Sequence, residues 1–92
     1  MVVEHVSGRN AGQVMLYALS TCVWCKKTKK LLDELVVEYN YEYVDLLEGK
    51  EKGKALETVK KWNPACTFPT LVINNECIVG FDEGKIRELL KQ

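Results

Sequence analysis

Two cysteines separated by two residues, Cys22-Val23-Trp24-Cys25, stand where one hydrophobic periodicity ends and another begins. Before them, Gln13 to Leu19 (QVMLYAL) is a short apolar run rich in Val, Leu and Tyr, the pattern of a buried strand. After them, Cys25, Thr28, Leu31, Leu32, Leu35 and Val36 recur at helical spacing, with Lys26, Lys27, Lys29 and Lys30 mainly off that stripe. Ser20 and Thr21 offer hydroxyls at the junction, where a helix needs capping. The pattern predicts a strand that delivers two thiols to the start of a helix, with Cys22 at the N-terminus.

The remaining pattern completes an α/β domain. Tyr41 to Leu47 (YEYVDLL) alternates and predicts a second strand. Glu48 to Trp62 is charged, with Ala55, Leu56, Val59 and Trp62 on one helical face, and Gly53 weakens its first turns. Trp62 is expected to anchor this helix in the core. A loop after Asn63-Pro64 leads to a third strand, TLVIN. Asn74-Asn75 then suits a two-residue hairpin turn into a fourth, ECIVG. Phe81-Asp82 opens a last helix with Ile86, Leu89 and Leu90 inward. The order βαβ-α-ββ-α predicts a parallel, right-handed βαβ unit followed by an antiparallel hairpin. The expected architecture is a mixed four-stranded sheet flanked by three helices, in a single domain over 1–92. Residues 1–12 form an N-terminal extension in which VVEHV has an extended pattern but no predicted place in the sheet.

Composition narrows the function. With 92 residues, 47% of them hydrophobic, the chain can bury one modest core and has no room for a second domain. Thirteen basic and thirteen acidic residues cancel, so the domain-wide basic excess of a nucleic-acid binder is missing. Apolar runs end after a few residues, short of the roughly 18 that a membrane span needs. Glu4 and His5 interrupt the apolar segment that a signal peptide would require. The expected setting is the cytoplasm, where thiols stay reduced, and the expected state is a monomer. Four cysteines there point to catalysis or metal binding and away from a disulfide framework.

Position then separates the two thiols of the motif. Free N–H groups and the dipole at a helix N-terminus favour negative charge, and Lys26 and Lys27 add to it. Both effects lower a thiol pKa from about 8.5 toward roughly 3.5–7.5. Cys22 is therefore the expected nucleophile. Cys25, one turn further in and on the inward stripe, is the expected resolving thiol, the two closing a redox-active disulfide. A zinc site from Cys22, Cys25, Cys66 and Cys77 satisfies the count. However, Cys66 and Cys77 have ten residues between them and span a predicted strand and turn, unlike the close pairs of zinc sites. The redox reading is preferred, with no metal or organic cofactor. A metal or iron–sulfur cluster carrier is the alternative, and a non-catalytic partner-binding module is a third class.

From about Gln13 to the C-terminus the chain resembles a glutaredoxin-like member of the thioredoxin superfamily. The resemblance is carried by the strand–C-x-x-C–helix opening, by Thr67-Phe68-Pro69 (similar to the family's T-V-P), and by Gly80-Phe81-Asp82 near the last helix. It implies a thioredoxin-like fold and a cis bond before Pro69. That bond would turn the Phe68 backbone toward Cys22, where it could pair with an extended disulfide substrate. It also implies dithiol–disulfide exchange with disulfide-containing proteins, donating electrons to a thiol-dependent enzyme and drawing them from an upstream thiol or reductase. The substrate-binding residues so implied are Trp24, Lys26, Thr67, Phe68, Pro69, Gly80, Phe81 and Asp82, with Trp24 a platform at the motif.

Departures from the family pattern matter as much. Val23-Trp24 replaces the common Pro-Tyr, Leu19 and Cys66 stand where basic residues are common, and Gly80-Phe81 replaces a Gly-Gly pair. Charge partners for the carboxylates of glutathione are thereby missing, so glutathione is expected to bind weakly, with Lys26 and Asp82 as partial substitutes. Val23 and the Gly-Phe pair are similar to the redoxins that supply ribonucleotide reductase. Cys66, three residues before Pro69, is a candidate modulating thiol. Cys77 is expected to pack inward and His5 to lie at the surface.

Overall fold

The computed structural model describes residues 3–90. In it the apolar run after Gln13 becomes strand β2 (Val14–Ala18), because alternate residues of a strand meet opposite layers. Around it stand β1 (Glu4–Val6), α1 (Val23–Glu34), β3 (Tyr39–Tyr43), a 3-10 turn (Val44–Leu46), α2 (Gly49–Trp62), β4 (Thr70–Ile73), β5 (Glu76–Val79) and α3 (Glu83–Leu89). The sheet order is β1-β3-β2-β4-β5. β2 runs parallel to β3, with Leu16 opposite Tyr41, and antiparallel to β4, with Leu16 opposite Leu71. The βαβ unit and the antiparallel β4–β5 hairpin are those the sequence predicts.

One face of the sheet carries the main core. Leu16, Tyr39, Leu71, Ile73 and Ile78 bury there with Cys25, Leu31 and Leu32 of α1 and with Ile86 and Leu90 around α3. A smaller cluster of Val44, Leu47 and Ala55, joined by Tyr17, Leu56 and Phe68, packs beneath α2. Among the described residues no helix is long and apolar enough to cross a membrane.

Several expectations are corrected. Among the described residues the sheet has five strands, since β1 adds antiparallel to β3, with His5 opposite Asn40. The His5 ring is exposed and bonds Asn40 at 2.7 Å across that pair. Residue 2 of the VVEHV segment lies outside the described residues. The second predicted strand begins two residues early, at Tyr39, and stops at Tyr43, where the pairing with Ala18 ends. Val44–Leu46 then turn as a 3-10 helix and do not extend the strand. Val36 leaves the helical stripe: its φ is +56° and it is 64% exposed. That left-handed residue reverses the chain after α1, so Val37 and Tyr39 enter the core instead. Cys77 sits beside Ile78, which takes the core side of β5, so its half-buried side chain faces the other way. Trp62 is half-buried, lining a cavity with Met15, Tyr17 and Val72 instead of anchoring the core.

Candidate active site

Helix α1 begins at the thiols. Cys22 is its N-cap, in extended backbone (φ −84°, ψ 120°), and its Sγ accepts the N–H of Cys25 at 3.2 Å. A sulfur thus occupies the capping place that a Ser or Asp oxygen commonly fills. Cys25 lies inside the first turn and is 2% exposed. Its Sγ accepts the Leu19 N–H at 3.5 Å. Burial first, and the adjoining Cys22 sulfur second, push the Cys25 thiol up to about 12. Both cysteines are free thiols, one half-exposed at the helix end and one buried and protonated at neutral pH.

The loop that delivers them is tied to the 3-10 turn after β3. The Ser20 N–H donates to Asp45 Oδ1 at 2.8 Å, and the Ser20 hydroxyl donates to Asp45 Oδ2. The hydroxyl and then the amide hold the Asp45 carboxyl below the usual carboxylate range.

Beside the motif opens a groove of about 280 Å³ lined by Trp24, Phe68, Pro69, Gly80 and Phe81. The Phe68–Pro69 peptide is cis, as the resemblance implies. Gly80 has φ +79°, a conformation that side-chain-bearing residues resist, and its N–H donates to the Pro69 carbonyl at 2.9 Å. Trp24 is 54% exposed and stacks on Phe81, with ring centroids 5.9 Å apart and planes inclined by 27°. Lys27 Nζ lies 4.5 Å from the Trp24 ring centre, a cation–π distance. The wall is therefore an aromatic shelf with a cation at its edge.

The other predicted site residues are not among those lining the groove. Lys26 is exposed on α1, and it is Lys27, one turn beyond Trp24 in the i,i+3 position, that meets the aromatic wall. Asp82 caps α3, its Oδ1 accepting the Lys85 N–H at 3.1 Å. Thr67 is exposed, its carbonyl and hydroxyl both accepting from Asn63 Nδ2 at 3.1 and 3.0 Å. Cys66 is half-buried with φ +53°, and its N–H donates to the Asn63 carbonyl at 2.8 Å. Among the described residues no three His, Cys, Asp or Glu side chains converge on a position that could hold a metal ion. Sequence reasoning missed Asn63 and Asp45, which shape the loops on either side of the thiols. The one signal available was Asn63 directly before Pro64, at a helix end.

A family model for glutaredoxin matches residues 14–78, from the first residue of β2 to the core position of β5. The chain belongs to the glutaredoxin family. It is a glutaredoxin-like thiol–disulfide oxidoreductase on a thioredoxin-like fold. Glutaredoxin 1 of Rickettsia bellii is 33% identical over 86 residues, covering 85% of this chain and 86% of that one. A glutaredoxin of Methanosarcina mazei Go1 superposes with a TM-score of 0.90 at 56% identity, over 98% of this chain and 88% of the other. A methanoredoxin of Methanosarcina acetivorans gives 0.89 at 51% identity, over 92% and 90%.

Proposed function

We propose that this glutaredoxin reduces protein disulfides through Cys22 as nucleophile and Cys25 as resolving thiol. Cys22 Sγ attacks one sulfur of the substrate disulfide. That bond breaks, a mixed disulfide to Cys22 forms, and the other substrate sulfur leaves as a thiolate that takes up a proton. Cys25 then gives up its proton and attacks Cys22 Sγ. The second substrate thiol leaves, and Cys22 and Cys25 remain as a disulfide for an upstream reductant to open. The observation that carries this reading is the asymmetry of the pair: a half-buried cysteine whose sulfur caps α1 beside a buried thiol pushed up to about 12. Such a pair keeps its second proton until the first sulfur has reacted, which an exchange in two steps requires.

The groove supports a protein substrate in particular. Its walls are Trp24, Phe68, Pro69 and Phe81, which suit an apolar side chain beside the substrate cysteine. Leu19 and Cys66 offer no charge to a carboxylate, so the electron donor is a thioredoxin-type reductase or a thiol other than glutathione. The product is reducing power for a thiol-dependent enzyme. The test is turnover on a disulfide substrate with glutathione or with a thioredoxin-type reductase as the source of electrons. The reductase should support turnover and glutathione should support little, and Leu19→Lys should raise the glutathione-dependent rate. Efficient, saturable turnover of the wild-type protein with glutathione would overturn the assignment of the donor.

A further inference from the structure

The bonds between Ser20 and Asp45 have no part in the exchange described above, yet they reach both thiols through two successive peptide units. Asp45, in the 3-10 turn after β3, takes the Ser20 N–H at 2.8 Å and the Ser20 hydroxyl. The carbonyl of that same peptide, on Leu19, accepts the Cys22 N–H at 3.2 Å. The Leu19–Ser20 peptide is thus held from both sides, by Asp45 and by the N-cap. The next amide back, the Leu19 N–H, donates to Cys25 Sγ at 3.5 Å.

We propose that Asp45 is a positioning residue for the resolving step: through Ser20 it holds the Leu19 amide on Cys25 Sγ as that sulfur gains negative charge. The proposal rests on the exchange between Cys22 and Cys25 argued above. In that step Cys25 loses its proton, a bond forms from Cys25 Sγ to Cys22 Sγ, and the bond from Cys22 to the substrate sulfur breaks. The substrate leaves as a thiolate that is then protonated; the two cysteines together are oxidised by two electrons and the substrate disulfide is reduced by two. Charge therefore builds on a sulfur packed in the main core, where a donor already in place is worth more than one that must move. Among the described residues, the Leu19 N–H is the backbone donor directed at it. Asp45 also acts in the opposite direction, since its negative charge disfavours a Cys25 thiolate. The carboxylate is exposed, so solvent and salt weaken that repulsion, while the hydrogen bonds keep their geometry. Of the two influences on the Cys25 thiol, the Leu19 amide outweighs the Asp45 charge.

Single-turnover kinetics test it. The wild type and each variant are mixed with a disulfide peptide, and the mixed disulfide at Cys22 is followed by mass spectrometry as it forms and decays. Asp45→Ala should slow decay on the order of fivefold, the worth of about one hydrogen bond, and change formation by less than about twofold. Asp45→Asn keeps an oxygen for the Ser20 amide while removing the charge, and should recover most of the decay rate. Ser20→Ala removes one of the two arms and should slow decay by less than Asp45→Ala. Equal slowing of both steps, unchanged decay in Asp45→Ala, or Asp45→Asn as slow as Asp45→Ala would each overturn the role given to Asp45. A wild type that forms no mixed disulfide at Cys22 overturns the exchange itself, and Asp45 with it. The two failures are separately visible.

Discussion

Asn63 holds the loop that carries Thr67, Phe68 and Pro69, so replacing it should be costly. The residue is 3% exposed. Its Nδ2 donates to the Thr67 carbonyl at 3.1 Å, the Thr67 hydroxyl at 3.0 Å and the Thr70 hydroxyl at 3.1 Å. Its Oδ1 accepts the Ala65 N–H at 3.2 Å. Two amide hydrogens serve three acceptors, so the side chain makes the equivalent of three hydrogen bonds. At about 1 kcal/mol each, Asn63→Ala should lose about 3 kcal/mol. Thr70 limits the damage, because its hydroxyl still donates to the Thr67 carbonyl at 2.7 Å. For a domain of this size each kcal/mol lowers Tm by roughly 4–8 °C, which predicts a fall of roughly 12–24 °C. Asn63→Asp has the same shape but no hydrogens to donate. It would set a carboxylate against the Thr67 carbonyl and should be at least as damaging. Circular dichroism melts and urea midpoints measure both variants. A loss in Asn63→Ala below about 1 kcal/mol would refute the reasoning, since the loop would then be held by its backbone bonds alone.

Two further outcomes follow from the thiols. Burial raises Cys25 from the ordinary thiol range to about 12, so the fold favours its protonated form. That contribution is intact below about pH 9 and is lost as pH climbs from 9 toward 12. Stability to urea should fall across this window, and fall less in Cys25→Ser. Tyr17 and Tyr39 are also raised by burial and bend the curve the same way, so it is the difference between the two proteins that reports Cys25. A parallel pair of curves would refute the shift. Turnover should survive Cys66→Ser, while inactivation by peroxide of protein whose Cys22 and Cys25 are protected as a disulfide should diminish. Labelling of each cysteine, read by mass spectrometry, checks this, and loss of turnover in Cys66→Ser would make that thiol catalytic.

The strand-to-helix junction was legible because two periodicities meet there, and periodicity reports which side of an element is buried. Leu31, Leu32 and Ile86 followed from it directly. Strand β1 did not, since three residues, Glu4-His5-Val6, are too few to alternate and gain their place only by pairing with Tyr39–Tyr41. The end of β3 was hidden for a related reason: Val44 and Leu47 are as apolar as strand residues but bury beneath α2 after a change of direction. Val36 misled because spacing continues past a helix end while the backbone does not. At the site, the thiols announced themselves by spacing, whereas Asp45 acts on a residue 25 positions away. Nothing local marks such a residue. The aromatic groove lay between, since Phe68, Pro69 and Phe81 came from a resemblance, but the stacking of Trp24 on Phe81 needed coordinates.

The division of labour between Cys22 and Cys25 is the centre of the account, and one trapping experiment tests it. Cys22→Ser and Cys25→Ser proteins are each incubated with the same disulfide peptide, quenched with acid and weighed by mass spectrometry. Cys25→Ser should accumulate a stable adduct mapped to Cys22, because the attacking thiol remains and the resolving one is gone. Cys22→Ser should form essentially none at the motif, since its remaining motif thiol is buried and protonated. An adduct on Cys25 in Cys22→Ser, or equal trapping in the two proteins, would contradict the assignment.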